Sequence, residues 1–497
     1  MRTSLACLAA LATPAVAQKV VSLSFARAGP EHKSLRKRAG TYSQELNNNL
    51  TGGGYYADVA LGTPPQPVTL ILDTGSSDVW VLDTHADLCQ SQDLQYYYGT
   101  CLATYNPDNS STYELVDRDA FSIQYLDTSG AEGDYIRDTF HVGGASIKAL
   151  QVGLAENSTI NSGLLGIGFS TNVAASDPYP NIIDLFVEQD LIDTSAYSLY
   201  LDDLFAETGT ILFGGIDTRK FIGQLKSVDI LRDAQSRIYS SFTVALNSLT
   251  IGKGSNSESS DLLSEQTPVI LDSGTTLTYL PPRVARQIYQ QFNAYDDTGV
   301  TGLVYADCGL LSSERDTTLN FQFGGSNGPV IKVPMRELVL DNVKGYIALG
   351  LELPRDIGFD DVCSFGIQSL QGIYLLGDTF LRSAYVVYDL DHKKIALAQA
   401  NLNSTETNVM EITAASGIPL VSGVAAQETH TAGGNNKDDA GNGSGSGSGT
   451  GSGTDADDES TTDNAAPRAL PVLNWEATAV AVAASLFSLV GAGLFVL

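Results

Sequence analysis

Two short segments of this chain carry the residues best suited to acid–base chemistry. Residues 70–76 and 269–275 each consist of an apolar run, an Asp, a hydroxyl residue, a Gly and a second hydroxyl residue, which puts Asp73 and Asp272 at equivalent positions. Two carboxylates that share one proton can activate water, because one accepts a proton while the other donates a hydrogen bond. The two Asp residues lie about one domain length apart, so we expect one from each of two similar units.

The residues around each Asp predict how its carboxylate is held. The apolar run before each Asp is typical of a buried strand, which places the Asp at a strand end on a tight turn. Gly75 and Gly274 let the backbone approach the carboxylate and donate N–H groups to it. Ser76 and Thr275 can donate hydroxyl hydrogen bonds to its outer oxygen, which fixes its orientation.

Two other segments resemble catalytic motifs but lack the required context. A third Asp-Thr-Gly, residues 297–299, has neither the apolar run nor the second hydroxyl, and we interpret it as a surface turn. Residues 324–328 match the Gly-x-Ser-x-Gly of serine hydrolases, with Ser326 as nucleophile. Alternating strand patterns flank this segment and no helix follows, which favours a hairpin turn. The five His residues show no zinc-protease spacing, so we expect neither a metal nor a cofactor.

The chain between about residues 55 and 400 has the pattern of a mostly-β protein. Short apolar or alternating segments are separated by turn residues, and helical signals are confined to residues 181–189 and 282–292. Gly-rich apolar segments at residues 163–169 and 372–378 echo each other in the two halves. We therefore expect two homologous units, each with a Gly-rich strand beside its Asp loop.

The charge balance limits the classes of partner. Asp and Glu number 57 against 28 Lys and Arg, for a net charge of −29. Such a surface repels phosphate, which argues against nucleic acid. It suits a protein that stays soluble in acid, although acidic proteins are common and the charge alone decides little.

Both ends of the chain resemble targeting segments. Residues 1–17 fit a secretory signal peptide that ends in Ala-Val-Ala. Residues 18–38 end in Arg-Lys-Arg and fit a propeptide cut by a kexin-like dibasic processing protease; a solvated basic arm is the alternative. Residues 403–464 fit a flexible stalk rich in Ser, Gly and Asp. Residues 465–497 fit a removed signal for a glycosylphosphatidylinositol (GPI) anchor, with Asn464 as the attachment site.

A transmembrane helix is the alternative for the apolar tail, which is long enough to span a bilayer. No Lys or Arg follows the tail to hold it on the cytoplasmic side, so we favour the lipid anchor. The expected location is the extracellular face of the plasma membrane or the cell wall. Five Asn-x-Ser/Thr sequences are candidate N-glycosylation sites: Asn49, Asn109, Asn157, Asn403 and Asn442.

Four cysteines lie outside the leader, and they allow three pairings. The sequence-local pairing joins Cys89 to Cys101 and Cys308 to Cys363. Because the leader implies an oxidising compartment, we favour structural disulfides over unpaired buried thiols.

Three segments in combination resemble the pepsin family of aspartic endopeptidases: residues 73–81, 272–276 and 376–382. The leader, the dibasic site and the GPI-type tail resemble the fungal yapsin-like surface members. The resemblance implies a mostly-β fold of two homologous lobes, residues 39–225 and 226–402, with an active-site cleft between them. It also implies a monomer without a metal that cleaves peptide and protein substrates.

The resemblance further implies a mechanism and a flap. Asp73 and Asp272 would hold a water whose attack on the peptide carbonyl gives a tetrahedral diol without a covalent intermediate. Tyr125 matches the Tyr of a hairpin flap over the cleft and would pack near Trp80, whereas an ordinary strand aromatic is the alternative. Leu126 departs from the family, in which Gly usually follows this Tyr, so the alignment just downstream is open.

Two substrate preferences are compatible with the sequence. Yapsin-like relatives prefer basic residues near the cut, whereas the usual family preference is for bulky apolar residues. Asp83, Asp87 and Asp93 could supply negative charge near the cleft, or form a solvated acidic loop. A non-catalytic surface binding protein with this fold is the alternative function; it predicts a damaged Asp pair, and both motifs are intact.

Overall fold

The computed structural model describes residues 19–26, 54–206, 208–254, 257–258, 261–348 and 352–425. Most of its regular structure is strand, as the sequence predicts. The signal peptide, the dibasic site, Asn49, Asn442, Asn464 and the anchor signal lie outside the described residues. No helix among the described residues is long and apolar enough to cross a bilayer.

The strands up to residue 229 are β1 Val21–Ala26, β2 Tyr56–Leu61, β3 Gln66–Asp73, β4 Val79–Leu82, β5 Glu114–Gln124, β6 Gly130–Val142, β7 Ala145–Ser158, β8 Gly163–Gly166, β9 Ala196–Tyr200, β10 Thr208–Phe213, β11 Gly215–Asp217 and β12 Phe221–Asp229. The later strands are β13 Thr243–Lys253, β14 Ser257–Glu258, β15 Thr267–Leu271, β16 Thr278–Leu280, β17 Tyr295–Asp297, β18 Leu303–Asp307, β19 Thr317–Phe323, β20 Val330–Pro334, β21 Val339–Leu340, β22 Val362–Phe365, β23 Ile367–Ser369, β24 Leu375–Leu376, β25 Ala384–Asp389, β26 Lys394–Ala400 and β27 Val409–Glu411. The α-helices are α1 Asp87–Gln90, α2 Gln92–Tyr98, α3 Ile182–Glu188, α4 Pro282–Phe292, α5 Leu310–Ser313, α6 Met335–Leu338, α7 Val343–Ala348 and α8 Asp378–Leu381.

Helices α3 and α4 confirm the two helical signals. Asn181 caps α3, because its side chain accepts from the N–H groups of Ile183 and Asp184 while the Asp184 carboxylate accepts from the Asn181 N–H. Helix α4 begins at a proline, which the first turn tolerates because its missing N–H would have no helical partner.

The two halves of the chain build similar sheets around their Asp segments. In the first, strands run in the order β2-β3-β8-β4-β7-β6-β5, and β8 lies parallel to β3 with Asp73 opposite Gly166. In the second, the order is β20-β19-β13-β15-β24-β16-β23, and β24 lies parallel to β15 with Leu271 opposite Leu376. A Gly-rich strand therefore lies beside each Asp loop, as predicted.

A third sheet joins the two lobes. Its six strands run in the order β1-β10-β9-β25-β26-β12 and come from both halves of the chain. At its centre, the Tyr197 ring of β9 stacks on the Tyr388 ring of β25 with centroids 4.9 Å apart. Buried aromatic rings at this junction give a continuous core beneath both Asp loops. The predicted lobe boundary after residue 225 falls within β12.

Strand β1 lies within the expected propeptide, residues 18–38. It pairs antiparallel with β10 at one edge of the six-stranded sheet, and Val21 and Leu23 are buried. Lys19 forms an ion pair with Asp190 at 2.6 Å. The part of this segment that the structure describes is therefore an integral strand of the sheet.

The fold continues beyond the expected end of the second lobe. Strand β27 pairs with β11, and Ile412 is fully buried. The backbone of Val424 bonds with that of Phe221 and Gly223. The prediction that the stalk begins at residue 403 is therefore wrong for residues 403–425, which pack against the six-stranded sheet because their scattered apolar residues fill its outer face.

The two segments that resemble catalytic motifs without the required context, residues 297–299 and 324–328, lie in turns. Residues 324–328 connect β19 and β20 as a hairpin turn, with positive φ at Gly324 and Gly325. Residues 298–300 form a turn after β17, as predicted, but Asp297 itself is buried and accepts a hydrogen bond from the Thr301 hydroxyl at 2.8 Å. Its carboxylate therefore stabilises the turn.

Candidate active site

Asp73 ends β3 and is fully buried. Its Oδ1 accepts from the Gly75 N–H at 2.7 Å, and its Oδ2 accepts from the Ser76 hydroxyl. These are the two contacts that the local sequence predicts. A Cβ on Gly166 of the neighbouring strand would lie 2.5 Å from the Asp78 carbonyl oxygen, so close packing of β8 against this loop requires Gly.

Asp272 follows β15 and is equally buried. Its Oδ1 accepts from the Gly274 N–H at 2.9 Å, and its Oδ2 accepts from the Thr275 hydroxyl at 2.6 Å. A Cβ on Gly377 would lie 2.1 Å from the Thr275 carbonyl oxygen. The second loop thus repeats the first, contact by contact.

Hydrogen bonds between the loops hold the two carboxylates together. The Thr74 hydroxyl accepts from the Ser273 N–H at 2.9 Å and donates to the Leu271 carbonyl at 3.0 Å. The Ser273 hydroxyl accepts from the Thr74 N–H at 3.1 Å and donates to the Leu72 carbonyl at 2.9 Å. This reciprocal set is nearly two-fold symmetric. The sequence analysis assigned no role to the middle hydroxyl of either motif and missed this link.

The electrostatics of the pair favour one shared proton. Burial and the neighbouring Asp272 carboxylate raise the pKa of Asp73 well above its usual range, and hydrogen bonds from Ser76 and Gly75 partly offset this rise. Burial also raises the pKa of Asp272, against hydrogen bonds from Thr275 and Gly274. Because the charge of Asp272 opposes the ionisation of Asp73, the electrostatics disfavour a state in which both carboxylates are charged.

The hairpin of β5 and β6 brings Tyr125 to the pair. Tyr125 is buried, and its hydroxyl accepts from the Trp80 Nε1–H at 2.9 Å, which confirms the predicted proximity. Burial and the Asp73 charge raise the pKa of Tyr125 well above its usual range, so its ring lies within electrostatic reach of the pair. The turn at residues 126–129 closes the hairpin, and the Tyr125 N–H donates to the Ser129 carbonyl at 2.8 Å.

The hairpin tip carries an acid that sequence reasoning did not single out. The Asp127 Oδ1 accepts from the Ser129 N–H and hydroxyl at 2.9 and 2.6 Å. Among the described residues, its Oδ2 is buried and has no hydrogen-bond partner. Burial raises the pKa of Tyr279 in the second lobe, and the charge of Asp127 raises it further. The charge of Asp127 therefore acts across to the second lobe.

The three acids that the sequence offered as sources of cleft charge differ from one another. Asp83 is buried and accepts from the His85 N–H at 2.5 Å. Asp87 accepts from the N–H groups of Leu88 and Ser158. Asp93 is exposed on α2. The first two carboxylates therefore serve local structure.

The remaining candidate residues lie at the surface or in disulfides. The structure joins Cys89 to Cys101 and Cys308 to Cys363, the sequence-local pairing. The described glycosylation candidates are all exposed: Asn109, Asn157 and Asn403. In the described part of the chain, one group of three metal-ligating side chains lies together, Cys308, Cys363 and Asp341, but the disulfide occupies both thiols.

Comparison with known proteins agrees with this geometry. Residues 54–400 match the family described as eukaryotic aspartyl protease. A relative named probable aspartic-type endopeptidase opsB from Aspergillus oryzae is 40% identical over 394 residues, which cover 76% of this chain and 74% of the relative. Candidapepsin from Candida tropicalis is 33% identical over 78% of this chain and 90% of its own length. Barrierpepsin from Saccharomyces cerevisiae is 34% identical over 71% of this chain and 61% of its own. The chain therefore belongs to the eukaryotic aspartyl protease family and is an aspartic-type endopeptidase.

Proposed function

We propose that Asp73 and Asp272 are the catalytic pair and that the chain acts as a secreted, surface-tethered endopeptidase in acid. The observation that carries the assignment is the matched environment of the two buried carboxylates. Each has one oxygen held by a Gly N–H and the other by a hydroxyl. These donors fix both carboxylates without neutralising them, which leaves the pair poised to exchange one proton.

In this proposal the pair binds a water molecule between the carboxylates. The ionised carboxylate removes a proton from the water as it attacks the peptide carbonyl carbon, and the protonated carboxyl donates to the carbonyl oxygen. The product is a tetrahedral diol, whose collapse passes a proton to the leaving nitrogen. Tyr125 on the hairpin closes over the substrate as a flap and limits the entry of solvent.

Cleavage of a peptide library over a pH series tests both activity and side-chain preference. Activity in acid that pepstatin blocks supports the proposal. Activity that resists pepstatin but is lost with a fluorophosphonate would instead favour a serine nucleophile.

We further propose that Asp127 selects basic side chains next to the scissile bond, alongside bulky apolar ones. Its Oδ2 is buried, has no hydrogen-bond partner within the described part of the chain and would gain one from a Lys or Arg of the substrate. Burial raises the pKa of Asp127. The carboxyl is therefore neutral in strong acid and becomes charged only as the pH rises above this raised pKa.

Asp127→Asn should reduce the preference for Lys over Leu at the cleavage site. In the wild type, the ratio of kcat/KM values for Lys and Leu peptides should rise along a pH series that begins in strong acid, as Asp127 ionises above its usual pKa. In the variant the ratio should stay flat and be about tenfold lower at the upper end. Asn keeps an oxygen that can accept from Ser129, so the turn is preserved.

Asp93→Asn is the matched control, because it removes an exposed acid from α2. An equal loss of preference in both variants would assign the effect to general charge. An unchanged pH profile in Asp127→Asn would contradict the proposed role.

The localisation that we propose depends on both ends of the chain. The leader and the dibasic site would give secretion and activation by a processing protease, and residues 465–497 would be exchanged for a GPI lipid at Asn464. A phosphatidylinositol-specific phospholipase should release the enzyme from intact cells, and a chain that ends at residue 464 should appear in the medium. Retention after phospholipase treatment together with detergent solubility would support the transmembrane alternative.

A further inference from the structure

A cavity of about 420 Å³ lies between segments of the two halves of the chain and is lined by three cationic side chains: Arg232, Arg237 and Lys393. The two arginines belong to the connection between β12 and β13, and the lysine lies in the turn between β25 and β26. We call this cavity the basic pocket. It is a concentration of positive charge on a chain whose net charge is −29.

Aromatic rings hold two of these cations in place. The Arg232 guanidinium lies over the Tyr239 ring, 5.0 Å from its centroid, and the Lys393 ammonium lies over the Phe169 ring at 4.9 Å. The Lys393 ammonium also donates to the Leu390 carbonyl, which uses one of its three N–H groups. Among the residues that the structure describes, none of the three cations of the basic pocket forms an ion pair.

Two carboxylates also line the basic pocket, and both are bound to local groups. Asp184 accepts from the Asn181 N–H as part of the α3 cap. Asp391 accepts from the Thr194 hydroxyl at 2.7 Å and from the Ser195 N–H at 2.8 Å. The basic pocket therefore offers guanidinium and ammonium donors to an anionic ligand, and its own two carboxylates already have partners.

A segment of this chain has the complementary charge. Residues 455–463, which lie outside the described residues, contain five acidic side chains in nine positions. We call this segment the acidic run. Carboxylates are the groups that an Arg guanidinium binds best, because its planar N–H groups can donate to both oxygens at once.

The chain is long enough to bring the acidic run to the basic pocket. The last described residues lie at the start of β12, where Val424 forms a bridge with Ile222. Arg232 follows Ile222 by ten residues, so it lies within about 36 Å of that point. Residues 426–454 connect the fold to the acidic run, and a Gly/Ser-rich segment of this length has a root-mean-square span of about 30 Å. The two distances match, which favours a contact within one chain.

We propose that the basic pocket binds the acidic run of the same chain through ion pairs to Arg232, Arg237 and Lys393. The contact folds the stalk back onto the lobes and holds the catalytic body beside its anchored end, because the acidic run ends one residue before Asn464. This placement at the membrane rests on the proposed GPI attachment. The contact itself requires only the charges of the pocket and of the run.

A labelled peptide with the sequence of residues 454–463 measures the contact directly. It is titrated at neutral pH, where its carboxylates are ionised, into the full chain with all five acids of the acidic run changed to Asn or Gln. An Asp73→Asn background prevents cleavage of the peptide. Arg232→Gln, Arg237→Gln and Lys393→Gln together should weaken binding about tenfold, as expected for the loss of three surface ion pairs.

The matched control removes three cationic charges from exposed positions elsewhere: Arg283→Gln, Arg286→Gln and Arg315→Gln. It should bind the peptide as tightly as the parent chain, and thermal unfolding should show that both triple variants are folded. Equal affinities of the pocket variant and the control would overturn the proposal.

Competition identifies the segment that occupies the pocket. A chain with the intact acidic run should bind the peptide about tenfold more weakly than the chain with the neutralised run, because its own run competes at a high effective concentration. This comparison changes no residue of the described fold, so it decides the question even where the pocket variant is unstable. Equal affinities would overturn the contact within one chain. Binding is measured without turnover, so a lack of peptidase activity or of a GPI anchor would count against the proposed function alone.

Discussion

Replacing Asp73 or Asp272 with Asn should lower kcat by about 10²–10⁴-fold, the usual contribution of acid–base catalysis. Asn can accept the same hydrogen bonds from Gly75 or Gly274, but it can neither take a proton from water nor share one with the remaining carboxyl. Each variant should remain folded, because Asn has nearly the same shape and removes a buried ionisable group. Steady-state kinetics on a peptide substrate measures the loss of kcat, and thermal unfolding tests whether each variant remains folded.

Asp297→Asn is the matched control for this experiment. It changes the third Asp-Thr-Gly of the chain, whose carboxylate bonds to Thr301 in a turn. We expect an unchanged kcat and at most a modest loss of stability. Full activity of either Asp73→Asn or Asp272→Asn would reject the catalytic assignment.

Thr74→Val should cost about 1–3 kcal/mol of stability, because it leaves the buried Ser273 N–H without its acceptor and removes the donor to the Leu271 carbonyl. Val has the shape of Thr, so the change isolates the hydroxyl. The two Asp loops would lose part of the link that sets their separation. Small misplacements of catalytic groups can cost about 10²-fold in rate, and we expect a fall in kcat of up to that size.

Thr74→Ser retains the hydroxyl and separates its role from that of the methyl group. It should unfold in denaturant at nearly the wild-type midpoint and keep most of the activity. Ser273→Ala tests the symmetric bond from the other lobe and should behave like Thr74→Val. If Thr74→Val matched Thr74→Ser in both stability and kcat, the hydrogen bonds between the loops would contribute to neither property.

Local geometry explains why the sequence predicts the surroundings of each carboxylate so well. The Gly N–H and the hydroxyl that hold an Asp lie two and three residues after it, so one tight turn brings them into contact whatever the rest of the fold does. The same holds for α4, whose proline start and apolar spacing are local signals. The sequence predicts a Gly-rich strand beside each Asp loop only because the same pattern recurs in both halves, and the parallel pairing of β8 with β3 is seen only in the structure.

Long-range packing decided the remaining features. Thr74 and Ser273 are 199 positions apart, and the hydroxyl of each accepts from the backbone N–H of the other only because the six-stranded sheet joins the lobes. Residues 403–425 are polar enough to resemble a linker. In the folded chain, however, Ile412 and its neighbours pack against an apolar face of the sheet. Asp127 is one of many acids in the sequence, and only the closure of the hairpin buries its Oδ2, which has no hydrogen-bond partner among the residues that the structure describes.

The sequence by itself thus determined the chemistry of this protein: two carboxylates, the donors that orient each one, and a β-rich scaffold repeated twice. The tertiary structure alone decided how Thr74 and Ser273 link the two loops, which acid lies at the hairpin tip and that residues 403–425 pack on the six-stranded sheet. The physical reason is the distance along the chain between the groups that interact. Contacts within a turn are set by a few consecutive residues, whereas proton sharing, burial and sheet closure depend on groups that only the folded chain brings together.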